Sequence, residues 1–296
     1  HVRSRRQRQM CIRDSTLPIL SNVFLKTDGK KLEFIATDLE IQIATSTQLD
    51  EDYSSEALTI SARKTVDILR ALPDKTKISL EASENRAILK SGKSKFNLQT
   101  LPSKDFPLIS AKENAKLDIV KIEQNVLKDM LQKVQFSMAQ QDIRYYLNGL
   151  LLVLEGQTLR LIATDGHRLA HASTQLKSSA GERETILPRK TVLELTKLLN
   201  DDNSMVEMNI TDTQININFN NVTLVSKLVD GKFPDYKRVI PTDLSNELVI
   251  AKEDLQGALQ RAAILSNEKF RGVRSVSYTH LRAHETDSYL VCRLLL

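Results

Sequence analysis

The chain has 296 residues, enough for two or three domains, and 41% of them are apolar, which suffices to build packed cores. With 5% aromatic residues, no Trp and two Cys, a surface built mainly on aromatic stacking and a disulfide framework are both excluded. No apolar run approaches the roughly 20 residues of a membrane span, and residues 1–14 lack the apolar stretch of a secretory signal. We therefore expect a cytoplasmic protein with no membrane partner.

The net charge of +5 is concentrated at one end of the chain. The first fifteen residues contain five Arg and one Asp, whereas residues 275–296 are neutral and residues 16–274 carry only +1. Both Cys also lie in the two end segments. These segments have two interpretations: a basic arm that binds nucleic acid, or foreign sequence joined to a fragment.

The first strong helical pattern covers Ala62–Leu72, and a longer amphipathic stripe predicts a helix over Ile122–Met138. Leu147–Glu155 has the composition of a buried strand, and Thr158–Ala163 follows as its hairpin partner. We therefore expect each helix to be followed by antiparallel strands.

The same order continues in the second half of the chain. Pro188 suits the first turn of a helix that ends at Leu199. Alternating residues at Gln214–Phe219 and Val222–Leu228 flank an Asn-Asn turn and predict another hairpin. This alternation of helices and hairpins favours an α+β fold with antiparallel sheets.

The sequence repeats with a period of about 127 residues. Four matches recur in the same order: Asn22 with Asn148, Leu32–Asp38 with Leu159–Asp165, Arg63–Val66 with Arg189–Val192, and Phe106-Pro107 with Phe233-Pro234. A third copy begins at Leu248–Lys252, which resembles Leu117–Lys121. A period this long indicates repeated domains and not the short units of a solenoid.

The spacing of the repeat predicts three domains, of which the first and third are incomplete. We expect residues 16–112 to form a first domain lacking its start, 113–243 a complete second domain, and 244–274 the start of a third. Residues 1–15 and 275–296 match no copy, and we expect neither segment to be native.

Chemical motifs are scarce. There is no phosphate-binding loop, dinucleotide fingerprint or zinc-ligand pattern, so no catalytic residue, metal or cofactor is expected. Asp165 and His167 could form a metal or acid–base pair, which leaves a metal-dependent nucleic-acid enzyme as the alternative function. Because Thr164-Asp165 recurs as Thr37-Asp38 without a nearby His, a turn common to both copies is the favoured interpretation.

Some basic residues point to a polyanion. Arg63 and Arg189 each open a helix at matched places, where a positive charge gains nothing from the helix dipole. Arg144-Tyr145-Tyr146 suits phosphate and base contacts. A structural repeat protein without DNA is the competing interpretation, and it predicts no positive concave surface.

Several longer segments carry a family resemblance. They are Gln135–Ala139, Arg144–Gly149, Ala163–Leu169, Phe233–Arg238 and Arg261–Gly272. From Thr16 to about Arg274 the chain resembles the bacterial sliding clamps, the beta subunits of DNA polymerase III. The resemblance implies tandem DNA-clamp domains and a non-catalytic processivity factor. Such a protein encircles duplex DNA as a homodimer ring and tethers the replicative polymerase, the clamp loader and other clamp-binding proteins.

The resemblance also implies three sets of site residues. A groove for short clamp-binding peptides would be lined by Leu147, Thr164, Gly166, His167, Arg168, Leu169, Pro234, Arg238 and Val239. DNA would be contacted by Arg63, Gln141, Arg144, Tyr145, Tyr146 and Arg189. The dimer interface of the full-length protein would contain Lys64, Arg86, Lys93, Lys95, Phe96, Ile264 and Leu265.

A net charge of +1 over residues 16–274 suits a ring, because topology retains the DNA without strong counterion release. Since little of a third domain is present, we expect this chain not to close a stable ring.

Overall fold

The computed structural model describes residues 17–73, 76–83, 86–109, 118–241 and 249–264, and the backbone of two short strands at 274–276 and 291–293. The expected terminal segment 1–15 and most of 275–296 lie outside these ranges. The chain divides into two compact units, with the boundary between Pro234 and Asp235. No helix in the described ranges has the length and apolar character needed to cross a membrane.

The helices and strands have the following bounds. The helices are α1 (Ala62–Ala71), α2 (Gln124–Val134), α3 (Arg189–Leu198) and α4 (Lys252–Ala263). The strands are β1 (Asn22–Thr37), β2 (Ile41–Tyr53), β3 (Ala57–Ser61), β4 (Ser79–Ser83), β5 (Arg86–Ser91), β6 (Ser94–Leu101), β7 (Asp118–Glu123), β8 (Gly149–Glu155), β9 (Thr158–Thr164), β10 (Leu169–Gln175), β11 (Glu182–Pro188), β12 (Met205–Ile210), β13 (Gln214–Phe219), β14 (Val222–Lys227), β15 (Arg274–Val276) and β16 (Val291–Arg293).

The second copy of the repeat, β7 to β14, consists of two halves of the same order, each a strand, a helix and three strands. Its first sheet has the order β10-β9-β8-β11, and its other strands pair as β14-β13-β12-β7. Leu127 and Leu131 of α2 and Val192 and Leu195 of α3 are at most 1% exposed in one apolar core. Burial of each such side chain stabilises the fold by about 1.5–3 kcal/mol.

Among the described residues the first copy begins at the strand that matches β8, and its β1 spans two strands that are separate in the second copy. Residues 22–26 of β1 pair with β3, and residues 31–37 pair with β2, so the two parts of β1 correspond to β8 and β9. Gly29 separates them at φ +58°, in the left-handed region that favours Gly.

The two copies are joined edge to edge by β2 and β14, a junction that we call the seam. Antiparallel pairing of residues 41–45 with 222–226 makes one continuous ten-stranded sheet, in the order β4-β5-β6-β3-β1-β2-β14-β13-β12-β7. Ile41 and Leu224 are at most 2% exposed in the seam. The Lys190 ammonium, at the start of α3, pairs with the Asp38 carboxylate of the first copy.

Three predicted boundaries were wrong. The helix predicted over Ile122–Met138 is too long at both ends, because Ile122 lies in β7 opposite Val206 and a 3-10 turn follows Val134. The strand predicted from Leu147 begins at Gly149, since Leu147 belongs to a 3-10 turn. Pro188 ends β11 and precedes α3.

Candidate functional site

A tight turn between β9 and β10, residues 164–168, forms one side of the candidate site. The Asp165 Oδ1 atom accepts the N–H groups of His167 (2.9 Å) and Arg168 (3.0 Å). The Thr164 hydroxyl donates to the Arg168 carbonyl at 2.8 Å and accepts the Gly166 N–H at 3.1 Å. These bonds hold Gly166 at φ +88° and expose His167 and Arg168.

A loop that follows α2, residues 142–148, forms the opposite side. The Arg144 guanidinium donates to both carboxylate oxygens of Asp142, at 3.0 and 2.9 Å, and to the Asp165 carbonyl at 3.4 Å. Its nitrogens lie 3.3 Å from the position that a Cβ at residue 166 would occupy. A side chain at this position would force the Arg144 guanidinium to shift, and the φ of +88° also favours Gly.

A cavity of about 360 Å³ lies between the loop and the turn. It is lined by Phe136, Met138, Ala139, Gln140, Asp142, Arg144, Asp165, His167, Arg168 and Arg189. The Phe136 ring is 55% exposed, and the Arg168 guanidinium lies 5.6 Å from its centre. An exposed aromatic ring among Arg and His side chains can accept an apolar anchor together with acidic or carbonyl groups.

The two carboxylates of the groove are each neutralised by a neighbouring Arg side chain, Asp142 by Arg144 and Asp165 by Arg168. Hydrogen bonds from Arg144 lower the pKa of Asp142 to about 2. Burial opposes ionisation of Asp165, but the N–H groups of His167 and Arg168 and the Arg168 side chain outweigh it and lower its pKa. Both carboxylates are therefore ionised at neutral pH and hold the cationic side chains in place.

Of the predicted groove residues, His167 and Arg168 line the cavity, while Thr164 and Gly166 belong to the turn beside it. Leu147 is 2% exposed, and its buried side chain anchors the end of the loop. Its carbonyl accepts the Ala139 N–H at 3.0 Å. Leu169 is half-buried at the start of β10. Pro234 is exposed at the end of the first unit.

Arg238 and Val239 belong to the second unit, where both are exposed. The Arg238 Nε atom lies 2.9 Å from an Asp235 carboxylate oxygen. Their assignment to the groove rests on the resemblance and remains a prediction.

The predicted DNA contacts separate into two groups. Gln141 and Tyr145 are exposed, and the Tyr145 and Tyr146 rings form an edge-to-face pair with centres 5.8 Å apart. Arg63 is exposed at the start of α1.

Arg189, which matches Arg63 in the repeat, is instead half-buried. It donates to the Met138 carbonyl at 3.0 Å and lines the groove. The structure therefore brings Arg144 and Arg189 to the groove, although the sequence suggested them as DNA contacts.

The predicted interface residues lie in both units. Arg86, Lys93, Lys95 and Phe96 are on the hairpin formed by β5 and β6, and Lys64 is on α1. Ile264 is 78% exposed after α4, whereas Leu265 lies outside the described residues.

The alternative pairing of Asp165 with His167 as a metal site receives no support from the geometry. Asp165 uses both carboxylate oxygens within its own turn, on the His167 and Arg168 N–H groups and on the Arg168 side chain. In the described part of the chain, no three His, Cys, Asp or Glu residues are grouped to hold a metal.

Sequence reasoning missed Phe136, Asp142 and Asn148. Phe136 stands within the segment Gln135–Ala139, and Asn148 matches Asn22 in the repeat, so both carried a signal. Nothing in the sequence distinguished Asp142 from other loop carboxylates.

Tandem α+β repeats joined into a continuous sheet, with an exposed groove in the second repeat, define a protein of the DNA-clamp class. Two family models match the chain: the N-terminal domain of the DNA polymerase III beta subunit at residues 7–110, and its central domain at residues 121–235. The chain belongs to the DNA polymerase III beta subunit family, the bacterial beta sliding clamps, which are non-catalytic processivity factors of DNA replication.

Individual relatives agree with this assignment. The beta sliding clamp of Vibrio cholerae is 45% identical over 261 residues, which are 88% of this chain and 70% of the relative. That of Escherichia coli K12 is 41% identical over 259 residues, with the same coverage of each. A solved sliding clamp of Pseudomonas aeruginosa bound to griselimycin superimposes with a TM-score of 0.83 at 41% identity, covering 88% of this chain and 70% of that one.

Proposed function

We propose that the groove between loop 142–148 and turn 164–168 binds the short apolar peptide segments of clamp-binding proteins, while the clamp encircles duplex DNA in the bacterial cytoplasm. The observation that carries the proposal is the second copy's exposed turn. In the first copy Ile41, which matches Arg168, is buried in the seam and Asp38 pairs with Lys190, whereas His167 and Arg168 are exposed beside an exposed Phe136. An exposed apolar surface with a cationic rim suits a Leu or Phe anchor on a flexible tail.

The DNA-facing part of the proposal rests on Tyr145, Gln141 and Arg63. All three are exposed, and Tyr and Arg side chains provide stacking surfaces and phosphate contacts without a requirement for one base sequence. Retention on DNA would come from the ring, because the chain between its two end segments carries a charge of only +1.

The seam suggests how subunits would join. Residues 222–226 of β14 lie in the seam, and the matching residues of the first copy, counted from the hairpin turn, are 94–98 of β6. One edge of β6 pairs with β5 along this stretch, and no strand among the described residues pairs with its other edge.

Phe96 occupies the place of Leu224 and is half-buried, whereas Leu224 is fully buried in the seam. With Arg86, Lys93 and Lys95 nearby in sequence or across the hairpin, this edge suits an acidic partner strand. We propose that it contributes to the dimer interface of the full-length protein. That this 296-residue chain closes no stable ring stays a prediction.

Fluorescence anisotropy tests the groove directly. The probe is a fluorescein-labelled hexapeptide with adjacent Leu and Phe residues, titrated with the 296-residue chain. His167→Ala is expected to weaken binding about fivefold or more, because His167 is an exposed residue that lines the cavity. The family resemblance also assigns Arg238 to the groove, so we expect His167→Ala with Arg238→Ala to weaken binding further.

Glu40→Ala is the matched control, because Glu40 stands at the position of His167 in the first copy. It should leave the affinity unchanged. Equal affinity of the double variant and the unmodified chain would place the peptide elsewhere.

A further inference from the structure

Asn148 closes loop 142–148 into a ring of hydrogen bonds. Its Oδ1 atom accepts the Asp142 N–H at 2.9 Å, and its Nδ2 donates to the Asp142 carbonyl at 2.8 Å. Its own carbonyl accepts the Arg189 N–H at 3.0 Å, which fixes the end of the loop to the start of α3. One half-buried amide therefore sets the geometry of the whole loop.

The closed loop presents different side chains in two directions. Arg144 extends to the turn of the groove, where it donates to the Asp165 carbonyl and packs over Gly166. Tyr145 packs against Gly231, with one ring carbon 3.4 Å and the hydroxyl oxygen 3.5 Å from the position that a Cβ there would occupy. Since Arg144 and Tyr145 are adjacent residues of one closed loop, neither can move far without displacing the other.

We propose that Asn148 is a positioning residue that makes the DNA-facing tyrosines and the peptide groove one mechanical unit. Asn148 contacts neither ligand in this scheme. It acts through Asp142, whose carboxylate holds Arg144, and through the backbone that carries Tyr145 and Tyr146. The inference rests on the proposed function of the groove and extends it, because peptide binding and DNA contact would share one determinant.

The repeat supplies a matched control. Asn22 matches Asn148 in the sequence repeat and lies one position further along in the fold, since it pairs with Ser61 before α1 as Gly149 pairs with Pro188 before α3. It is 7% exposed, and its side chain donates to the Thr59 hydroxyl at 3.3 Å without closing a loop. Asn22→Ala therefore removes a buried amide at a neighbouring position of the first copy and leaves loop 142–148 intact.

Hydrogen exchange of the free chain tests the unit without any ligand. In Asn148→Ala, the amides of Asp142 and Leu147 in the loop and of Arg168 in the turn should exchange faster than in the unmodified chain, while β8 and β9 stay protected. Asn22→Ala should change none of these amides. Unchanged exchange at Arg168 in Asn148→Ala would overturn the link between loop and groove.

Binding measurements test its consequence for function. Asn148→Ala should weaken binding of the Leu-Phe hexapeptide about fivefold, and binding of a fluorescein-labelled 20-base-pair duplex at low salt by about the same factor. Asn22→Ala should weaken binding of either probe by less than about twofold. If Asn148→Ala weakened binding of only one of the two probes, the proposed link between the peptide groove and the DNA-facing tyrosines would be wrong. If the unmodified chain binds no hexapeptide, the proposed groove fails, whereas normal binding by Asn148→Ala refutes only the inference.

Discussion

The turn between β1 and β2 and the turn between β9 and β10 have the same hydrogen-bond network and different surroundings. In each, the Thr hydroxyl donates to a carbonyl four residues on, at 2.9 Å in the first copy and 2.8 Å in the second. In each, one Asp oxygen accepts two N–H groups, at distances of 2.8–3.0 Å. The Thr-Asp dipeptide therefore specifies a turn, and the residues after it determine what the turn is used for.

The difference lies in the second carboxylate oxygen of the Asp. At Asp38 it pairs with Lys190 across the seam, whereas at Asp165 it accepts from Arg168 within its own turn. Burial opposes ionisation of Asp38, but hydrogen bonds from Lys190, Ile41 and Glu40 outweigh it and lower its pKa. One copy of the turn thus joins two domains, and the other is left exposed beside a groove.

The largest test of this comparison removes the two carboxylates separately. Asp38→Ala should lower the free energy of unfolding by about 2–3 kcal/mol, because it leaves two N–H groups and Lys190 without their acceptor. Asp165→Ala should cost about 1 kcal/mol, since the two N–H groups that it leaves belong to the exposed residues His167 and Arg168 and its ion pair is worth little. Urea unfolding followed by circular dichroism measures both.

Lys190→Met distinguishes the contribution of the seam ion pair from that of the hydrogen bonds within the turn. It removes only the ion pair across the seam, and should reproduce less than half of the Asp38→Ala effect. Equal losses for Asp38→Ala and Asp165→Ala would show that the two turns are energetically the same and that the seam adds nothing at this point.

A second test adds a methyl group to the exposed turn. Gly166→Ala should destabilise the chain by about 1–2 kcal/mol, because φ of +88° disfavours a side chain and the new Cβ would meet the Arg144 guanidinium at 3.3 Å. The displaced Arg144 should also weaken hexapeptide binding in the anisotropy assay.

Gly156→Ala is the control, since Gly156 has a φ of +61° with nothing within 4 Å of its added Cβ. It should show the backbone strain alone, with normal peptide binding. A normal peptide affinity in Gly166→Ala would mean that Arg144 does not shape the groove.

Repetition in the sequence predicted the turns and the helices better than it predicted what joins them. The recurrence of Thr-Asp was sufficient to predict that Thr164-Asp165 forms a turn, and the shared hydrogen bonds confirm this prediction. The helical stripes placed α1, α2 and α3 correctly apart from their ends. At Ile122 the helix prediction failed because pairing with Val206, more than eighty residues away, outweighed the local pattern.

Local sequence patterns could predict neither the seam nor the closed loop, because both depend on contacts that periodicity does not encode. The seam pairs Ile41 with Ser226, two residues that are far apart in sequence and that alternation alone cannot match. The bonds between Asn148 and Asp142 depend on side-chain geometry within a loop, where no periodic pattern exists. The groove residues predicted from the family resemblance depended on whole segments, such as Ala163–Leu169, being recognisable, and they stay a prediction.

The smallest expected effect concerns the residue that distinguishes the two turns. Leu39 occupies the place of Gly166 and has a φ of +78°, although a side chain there costs about 1–2 kcal/mol. Leu39→Gly relieves that strain but adds about 0.5–1 kcal/mol of chain entropy to the unfolded state, so the unfolding free energy should rise by only about 0.5 kcal/mol. The midpoint of urea unfolding measures the change. A loss above about 1 kcal/mol would instead mean that the 38%-exposed Leu39 side chain stabilises the first turn by packing, and that this turn needs its Leu as the second needs its Gly.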